Sequence, residues 1–137
     1  MAAIRDILAI IDRLAPVSGL KFVGGTSLFI QNKKETINDI DVLVQDIEGI
    51  SSVYEIVIIE ESLYKFQDRR RAYYIDKDIM IDVFVEQNEE DVILLGKCQC
   101  VTTDAQIKFL ERTLRLSLSS EKRQETLAEI AYLKSLR

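Results

Sequence analysis

Apolar residues recur at Ile4, Ile7, Leu8, Ile11 and Leu14, three or four apart, which is the repeat of one helical face. Pro16 should end that helix, because it has no amide hydrogen to give. Residues 20–23 form a short apolar run, broken only by Lys21, that stops at Gly24-Gly25. Thr26 and Ser27 can then cap a short helix carrying Leu28, Phe29 and Ile30. A polar stretch, residues 31–38, leads into Asp39-Ile40-Asp41-Val42-Leu43-Val44, whose β-branched composition predicts a strand.

Residues 53–59 make another β-branched run, with weaker strand candidates at 63–66 and 71–75. Asp76-Lys77-Asp78 reads as a turn before a second strong strand, residues 79–85. Beyond Gly96, Thr103 and Gln106 have the spacing of a capping box, opening a helix with Ile107, Leu110 and Leu114 on one face. Ser119 or Ser120, with Glu121, opens a last helix on which Leu127, Ile130 and Ala131 share a face. Neither repeats nor linkers interrupt this order. It predicts an α+β protein: one domain over residues 1–137, a mixed sheet flanked by helices, and two helices at the C-terminus.

At 47% hydrophobic and 30% charged residues the chain has an ordinary globular composition, with no run long enough to span a membrane. The N-terminus meets acidic charge at Asp6 and has no signal-peptide core, so a cytoplasmic location is expected. A net charge of −5 gives no reason to expect general affinity for nucleic acid. The compact basic cluster Arg69-Arg70-Arg71 reads as a solvated turn between strands. The absence of histidine excludes imidazole-based zinc sites and Ser-His-Asp hydrolysis. Cys98 and Cys100 are too few for a structural zinc site and read as small apolar fillers.

Chemistry enters with the acids. Asp39 and Asp41 are two apart, so on an extended strand both project from one face while Ile40, Val42 and Val44 pack on the other. Asp82 interrupts an apolar run, where an aspartate costs several kcal/mol unless paired or bound to a metal. Three such acids on neighbouring strands would repel one another, and a divalent cation reverses that balance. Magnesium takes carboxylate oxygens together with phosphate oxygens and waters, and two ions can serve both the attacking and the leaving oxygen. Gly24-Gly25-Thr26-Ser27, between a strand and a helix, offers what a phosphate needs: close backbone approach and hydroxyl donors. A coincidental cluster in a purely structural domain would instead predict that Asp82→Asn stabilises the fold and changes nothing else.

Gly24-Gly25, a spacer of thirteen residues, Asp39-Ile40-Asp41-Val42 and the later Asp82 resemble the signature of the nucleotidyltransferase superfamily related to DNA polymerase beta. The Gly-Gly-Thr-Ser-Leu form and the paired C-terminal helices are similar to small bacterial members, among them antibiotic-modifying and toxin–antitoxin nucleotidyltransferases. The resemblance covers residues 20–86 well and the C-terminal helices loosely. It implies a metal-dependent transfer of a nucleoside monophosphate from a nucleoside triphosphate (ATP or another) to an acceptor hydroxyl, with release of pyrophosphate. The acceptor would be a small molecule, an RNA end or a protein. Asp39 and Asp41 would bind one or two Mg2+ ions, with Mn2+ able to substitute. Asp82 would join the catalytic ion and help deprotonate the acceptor, while Gly24, Gly25, Thr26 and Ser27 would hold phosphates. The chain has no second domain to shape an acceptor pocket, so a homodimer or a small helical partner protein is a further expectation. Lys108 and the stretch Lys122-Arg123-Gln124-Glu125 match the family's helical basic positions only approximately, and no role is assigned to them. The alternative is a member without catalysis, serving as a binding or regulatory module such as one component of a toxin–antitoxin pair.

Overall fold

A computed structural model of the chain describes residues 3–55, 57–58, 70–86 and 90–136. Their strands form one seven-stranded sheet in the order β3-β4-β5-β2-β1-β7-β6. In chain order the elements are α1 (Ile4–Leu14), β1 (Lys21–Phe22), α2 (Gly24–Ile30), β2 (Ile40–Val44), α3 (Glu48–Ser51), β3 (Val57–Ile58), β4 (Arg70–Asp76), β5 (Ile79–Val85), β6 (Val92–Leu95), β7 (Cys98–Val101), α4 (Thr103–Thr113) and α5 (Ser120–Ser135). The protein is thus α+β with a mixed sheet and two C-terminal helices: β2 runs parallel to β5 and β1 parallel to β7, and the other neighbours are antiparallel. No described helix is long and apolar enough to cross a membrane.

Alternation along the central strands divides the side chains between two faces. Ile40, Val42 and Val44 of β2 and Ile79, Ile81, Val83 and Val85 of β5 are buried on one face. Ile7, Ile10, Ile11 and Leu14 of α1 cover that face in the main core. The buried stripe of α1 differs from the expected one. Ile10 takes the place of Ile4 and Leu8, which are 57% and 47% exposed. The other face carries Val23, Leu43, Phe84 and Val101, packed with Ala105 of α4. Leu28 of α2 joins Ile107, Ile130 and Leu133 in a third cluster, which seats α4 and α5 on the same side. On α5, Thr126, Ile130 and Leu133 are the buried positions, whereas Leu127 and Ala131 are exposed. The expected face was therefore turned by part of a helical turn.

Two further elements differ from expectation. In the 53–59 run, Val53 and Tyr54 lie in the turn that follows α3, Ile56 lies outside the described residues, and Val57–Ile58 pairs with β4. Ile59, the weaker candidate at 63–66 and Arg69 lie outside the described residues. The hairpin of β6 and β7 was not foreseen, because Val92 to Leu95 do not alternate with polar residues. That strand lies at the end of the described sheet with Val92, Ile93 and Leu94 exposed. Cys98 and Cys100 sit on β7, partly buried and buried, as apolar fillers of the core.

Candidate active site

The register of β2 on β5 sets Asp41 opposite Asp82 on adjacent parallel strands, both on the face toward α4. Asp82 is buried and Asp41 partly buried. Burial pushes the Asp41 carboxyl up from 3.8 to about 7, and the negative charges of Asp82 and Asp39 push in the same direction. Arg71 and Lys34 oppose the shift without cancelling it. Asp39 itself precedes β2 and is exposed. It shares Asp41's field, but the strand pairing ties only Asp41 and Asp82 together. Among the described residues no group of three or more acidic, cysteine or histidine side chains is gathered tightly enough to hold a metal ion.

The glycine turn closes directly over Asp41. Gly24 has φ +56, a left-handed conformation that costs an L side chain energy. A Cβ placed there would lie 2.9 Å from Oδ2 of Asp41. Glycine is therefore required twice, by the backbone angle and by the carboxylate packed against it. At Gly25 a Cβ would meet Nζ of Lys34 at 3.3 Å, so that ammonium lies over the same turn.

Thr26 and Ser27 are deployed differently from a pair of helix caps. Helix α2 begins at Gly24, with Val23 at the cap position and no side-chain cap bond. Both hydroxyls are fully buried and tie α2 to its neighbours. Oγ1 of Thr26 accepts the amide of Asp41 at 2.9 Å and donates to the carbonyl of Asp39 at 3.5 Å. Oγ of Ser27 donates to the carbonyl of Val101 at 2.7 Å and accepts from Nε2 of Gln31 at 2.8 Å. Thr26 thus holds the glycine turn against the aspartate strand, and Ser27 ties it to β7.

Arg71 corrects the reading of the arginine triplet. Arg70 and Arg71 belong to β4 rather than to a turn. The Arg71 guanidinium donates through both Nε, at 2.8 Å, and Nη2 to the same oxygen, Oδ1 of Asp82. Nη2 also lies 3.8 Å from the sulfur of Met80. The sequence held a signal for this. A two-residue loop of Lys77 and Asp78, both at positive φ, pairs Asp76 with Ile79 and hence Tyr73 with Asp82. Arg71, two residues from Tyr73, then falls on the face of Asp82 as its diagonal neighbour.

These groups open on a cavity of about 370 Å³, within the range of small-molecule sites. Gly24, Gly25, Asp41, Asp82 and Arg71 line its polar end, and Val23, Phe84 and Val101 line the sheet behind them. The opposite wall comes from α4 through Gln106, Phe109 and Thr113, and from α5 through Lys122, Thr126 and Glu129. Of the basic helical residues, Lys122 reaches this cavity, while Lys108 is exposed and outside its lining. The cap of α4 is Thr102, which accepts the amide of Ala105 at 3.1 Å, rather than Thr103. Gln106 points its amide at the Val101 carbonyl instead of completing a capping box.

The donor set suits a hard divalent cation. It offers only carboxylate oxygens, and a buried aspartate pair under mutual repulsion gains from a cation between its members. Two carboxylates do not saturate magnesium, which leaves coordination positions for a phosphate and waters. No protein-family model, curated protein or solved structure matches the chain, so the geometry of the cleft carries the functional reading.

Proposed function

We propose that the chain is a metal-dependent nucleotidyltransferase, which moves a nucleoside monophosphate from a nucleoside triphosphate to an acceptor hydroxyl and releases pyrophosphate. The observation that carries this reading is the juxtaposition of Asp41 with Asp82 beneath the Gly24-Gly25 turn, at the polar end of a cavity of about 370 Å³. Asp41 and Asp82 would hold a magnesium ion, with Asp39 close enough to add its charge. When bound, that ion would neutralise triphosphate charge and orient the α-phosphate for in-line attack.

The chain's own residues have distinct tasks in this scheme. The side-chain-free turn at Gly24 and Gly25 lets phosphate oxygens approach the backbone. Lys34, over Gly25, and Arg71 supply positive charge where phosphate negative charge would gather. Asp82 would accept the acceptor's hydroxyl proton as that oxygen forms its bond to the α-phosphorus. The bond from the α-phosphorus to the bridging oxygen breaks, and the electron pair leaves with pyrophosphate. The α4–α5 wall, with Phe109 and Thr113, offers an apolar and a polar surface for the remainder of the donor or for the acceptor.

One observation favours a second reading. Arg71 already neutralises Asp82, as it would in a binding module of the same fold without catalysis. Thermal unfolding with each of the four nucleoside triphosphates, with and without Mg2+, separates the two. A ligand at 100 times its Kd adds about 2.7 kcal/mol, a shift of several degrees for a domain of this size. A magnesium-dependent shift, absent in Asp41→Ala, supports the transferase. A triphosphate shift that needs no metal supports the binding module, and no shift with any triphosphate removes the nucleotide reading altogether.

A further inference from the structure

Arg71 and a divalent cation would compete for the carboxylate of Asp82. Two guanidinium donors, Nε and Nη2, converge on Oδ1 of Asp82. A cation shared by Asp41 and Asp82 would bring two positive charges against that guanidinium. The Arg71 side chain is nevertheless placed to leave. It is 25% exposed and it lines the cavity, with a weak contact to the sulfur of Met80. A guanidinium gives up a carboxylate readily only for an acceptor of equal quality, and phosphate is that acceptor, taking two parallel N–H donors at once.

We propose that Arg71 is an exchangeable ligand: it occupies Asp82 while the cleft is empty, and passes to the phosphates of an incoming triphosphate, which frees Asp82 for the metal. The proposal rests on the triphosphate reading of the site. It gives the pair a purpose that a permanently neutralised aspartate lacks. In the empty site Arg71 compensates a buried carboxylate that would otherwise be costly. In the filled site the same positive charge serves the triphosphate, and metal and nucleotide are bound together rather than in sequence.

The test measures two affinities in the full chain. One is for Mn2+ alone, followed by the loss of the free-ion EPR signal. The other is for the Mg2+ complex of whichever triphosphate gives the largest thermal shift, followed by calorimetry. Arg71→Met should bind Mn2+ alone roughly tenfold more tightly and the triphosphate roughly 10- to 100-fold more weakly, the range expected for hydrogen bonds to charged groups. Arg71→Lys keeps the charge without the two-donor fork, so it should hold Mn2+ affinity near wild type and retain only part of the triphosphate affinity. It also serves as the test if Arg71→Met does not fold. A purely structural pair predicts a lower Tm with the two affinities unchanged or falling together, and that result overturns the exchange. A wild type that binds triphosphate normally while both variants match it overturns the exchange and leaves the site's reading standing. A wild type that binds no triphosphate overturns both.

Discussion

Asp41 and Asp82 face each other across the parallel pair β2–β5, and the carboxyl of Asp41 is held near pH 7 by burial and by that neighbour. The ligand-free protein therefore stores an electrostatic penalty in the site, and its sign can be worked out. The unfolded chain ionises Asp41 near 3.8 and the folded chain near 7, so the folded state binds the extra proton between those values. Stability is undiminished below about pH 4, falls as pH rises toward 7, and is constant above, with about 4 kcal/mol the ceiling for the whole window. Asp41→Asn removes the penalty while keeping the shape. It should raise the Tm at pH 8, change it little at pH 4, and abolish metal-dependent triphosphate binding. Urea denaturation at both pH values measures the first effect, and an Asn variant less stable than wild type at pH 8 would contradict it.

Gly24 carries a double requirement that a single methyl group exposes. Gly24→Ala must hold a left-handed backbone, at a cost of about 1–3 kcal/mol, and must push Oδ2 of Asp41 away from a 2.9 Å contact. The second cost vanishes when Asp41 is shortened to alanine. The double variant Gly24→Ala/Asp41→Ala should therefore be more stable than the sum of the two single changes predicts, by about 1 kcal/mol. Strict additivity in a double-mutant cycle would show that the glycine and the carboxylate do not touch.

Ser27 and Thr26 separate structural from ligand-directed hydroxyls. Ser27→Ala leaves the Val101 carbonyl and the Gln31 amide without their shared partner, and Thr26→Val leaves the Asp41 amide without its acceptor. Thr26→Val should cost about 1–3 kcal/mol of stability, the range for a buried group left unpaired, and Ser27→Ala about 1 kcal/mol, because the Val101 carbonyl still accepts from Gln31 and Gln106. Ser27→Ala should leave triphosphate affinity within about twofold, because its hydroxyl is spent on β7. A tenfold loss of affinity with stability unchanged would return Ser27 to the phosphate site.

The sequence made the acids and glycines legible because each broke a local rule: an aspartate in a core strand, and two glycines where a strand meets a helix. The apolar faces of β2 and β5 were equally legible, since period-two alternation fixes them. Helix faces were read less well. Ile4 and Leu8 satisfy the periodicity of α1 yet stay exposed, because the sheet covers only the stripe centred on Ile7, Ile10 and Leu14. Arg71 was missed for a different reason. Its role depends on a cross-strand register, and composition alone made an arginine triplet look like solvent-facing charge. The α4–α5 wall was invisible for the same cause, since Gln106, Lys122 and Glu129 meet only after two helices have packed on one sheet face.

Lys34 offers the last test, because it acts on the site through charge alone. It is exposed, its ammonium lies over Gly25, and it lowers the ionisation point of Asp41. Removing it should hardly affect folding, by no more than about 0.5 kcal/mol for a solvated side chain. Two functional effects should follow together. Lys34→Ala should weaken Mg2+–triphosphate binding several-fold, and more at low salt than at high, since an exposed charge is screened over roughly 10 Å at 0.1 M. It should also move the pH midpoint of binding upward, because the Asp41 carboxyl must lose its proton before it can ligate a cation, and Lys34 helps it do so. Lys34→Glu should displace the midpoint further in the same direction. Calorimetric titrations between pH 6 and 9 at two salt concentrations read both quantities. An affinity that falls with the midpoint fixed would assign Lys34 to the phosphates alone, and a midpoint that rises with affinity unchanged at high pH would assign it to Asp41 alone.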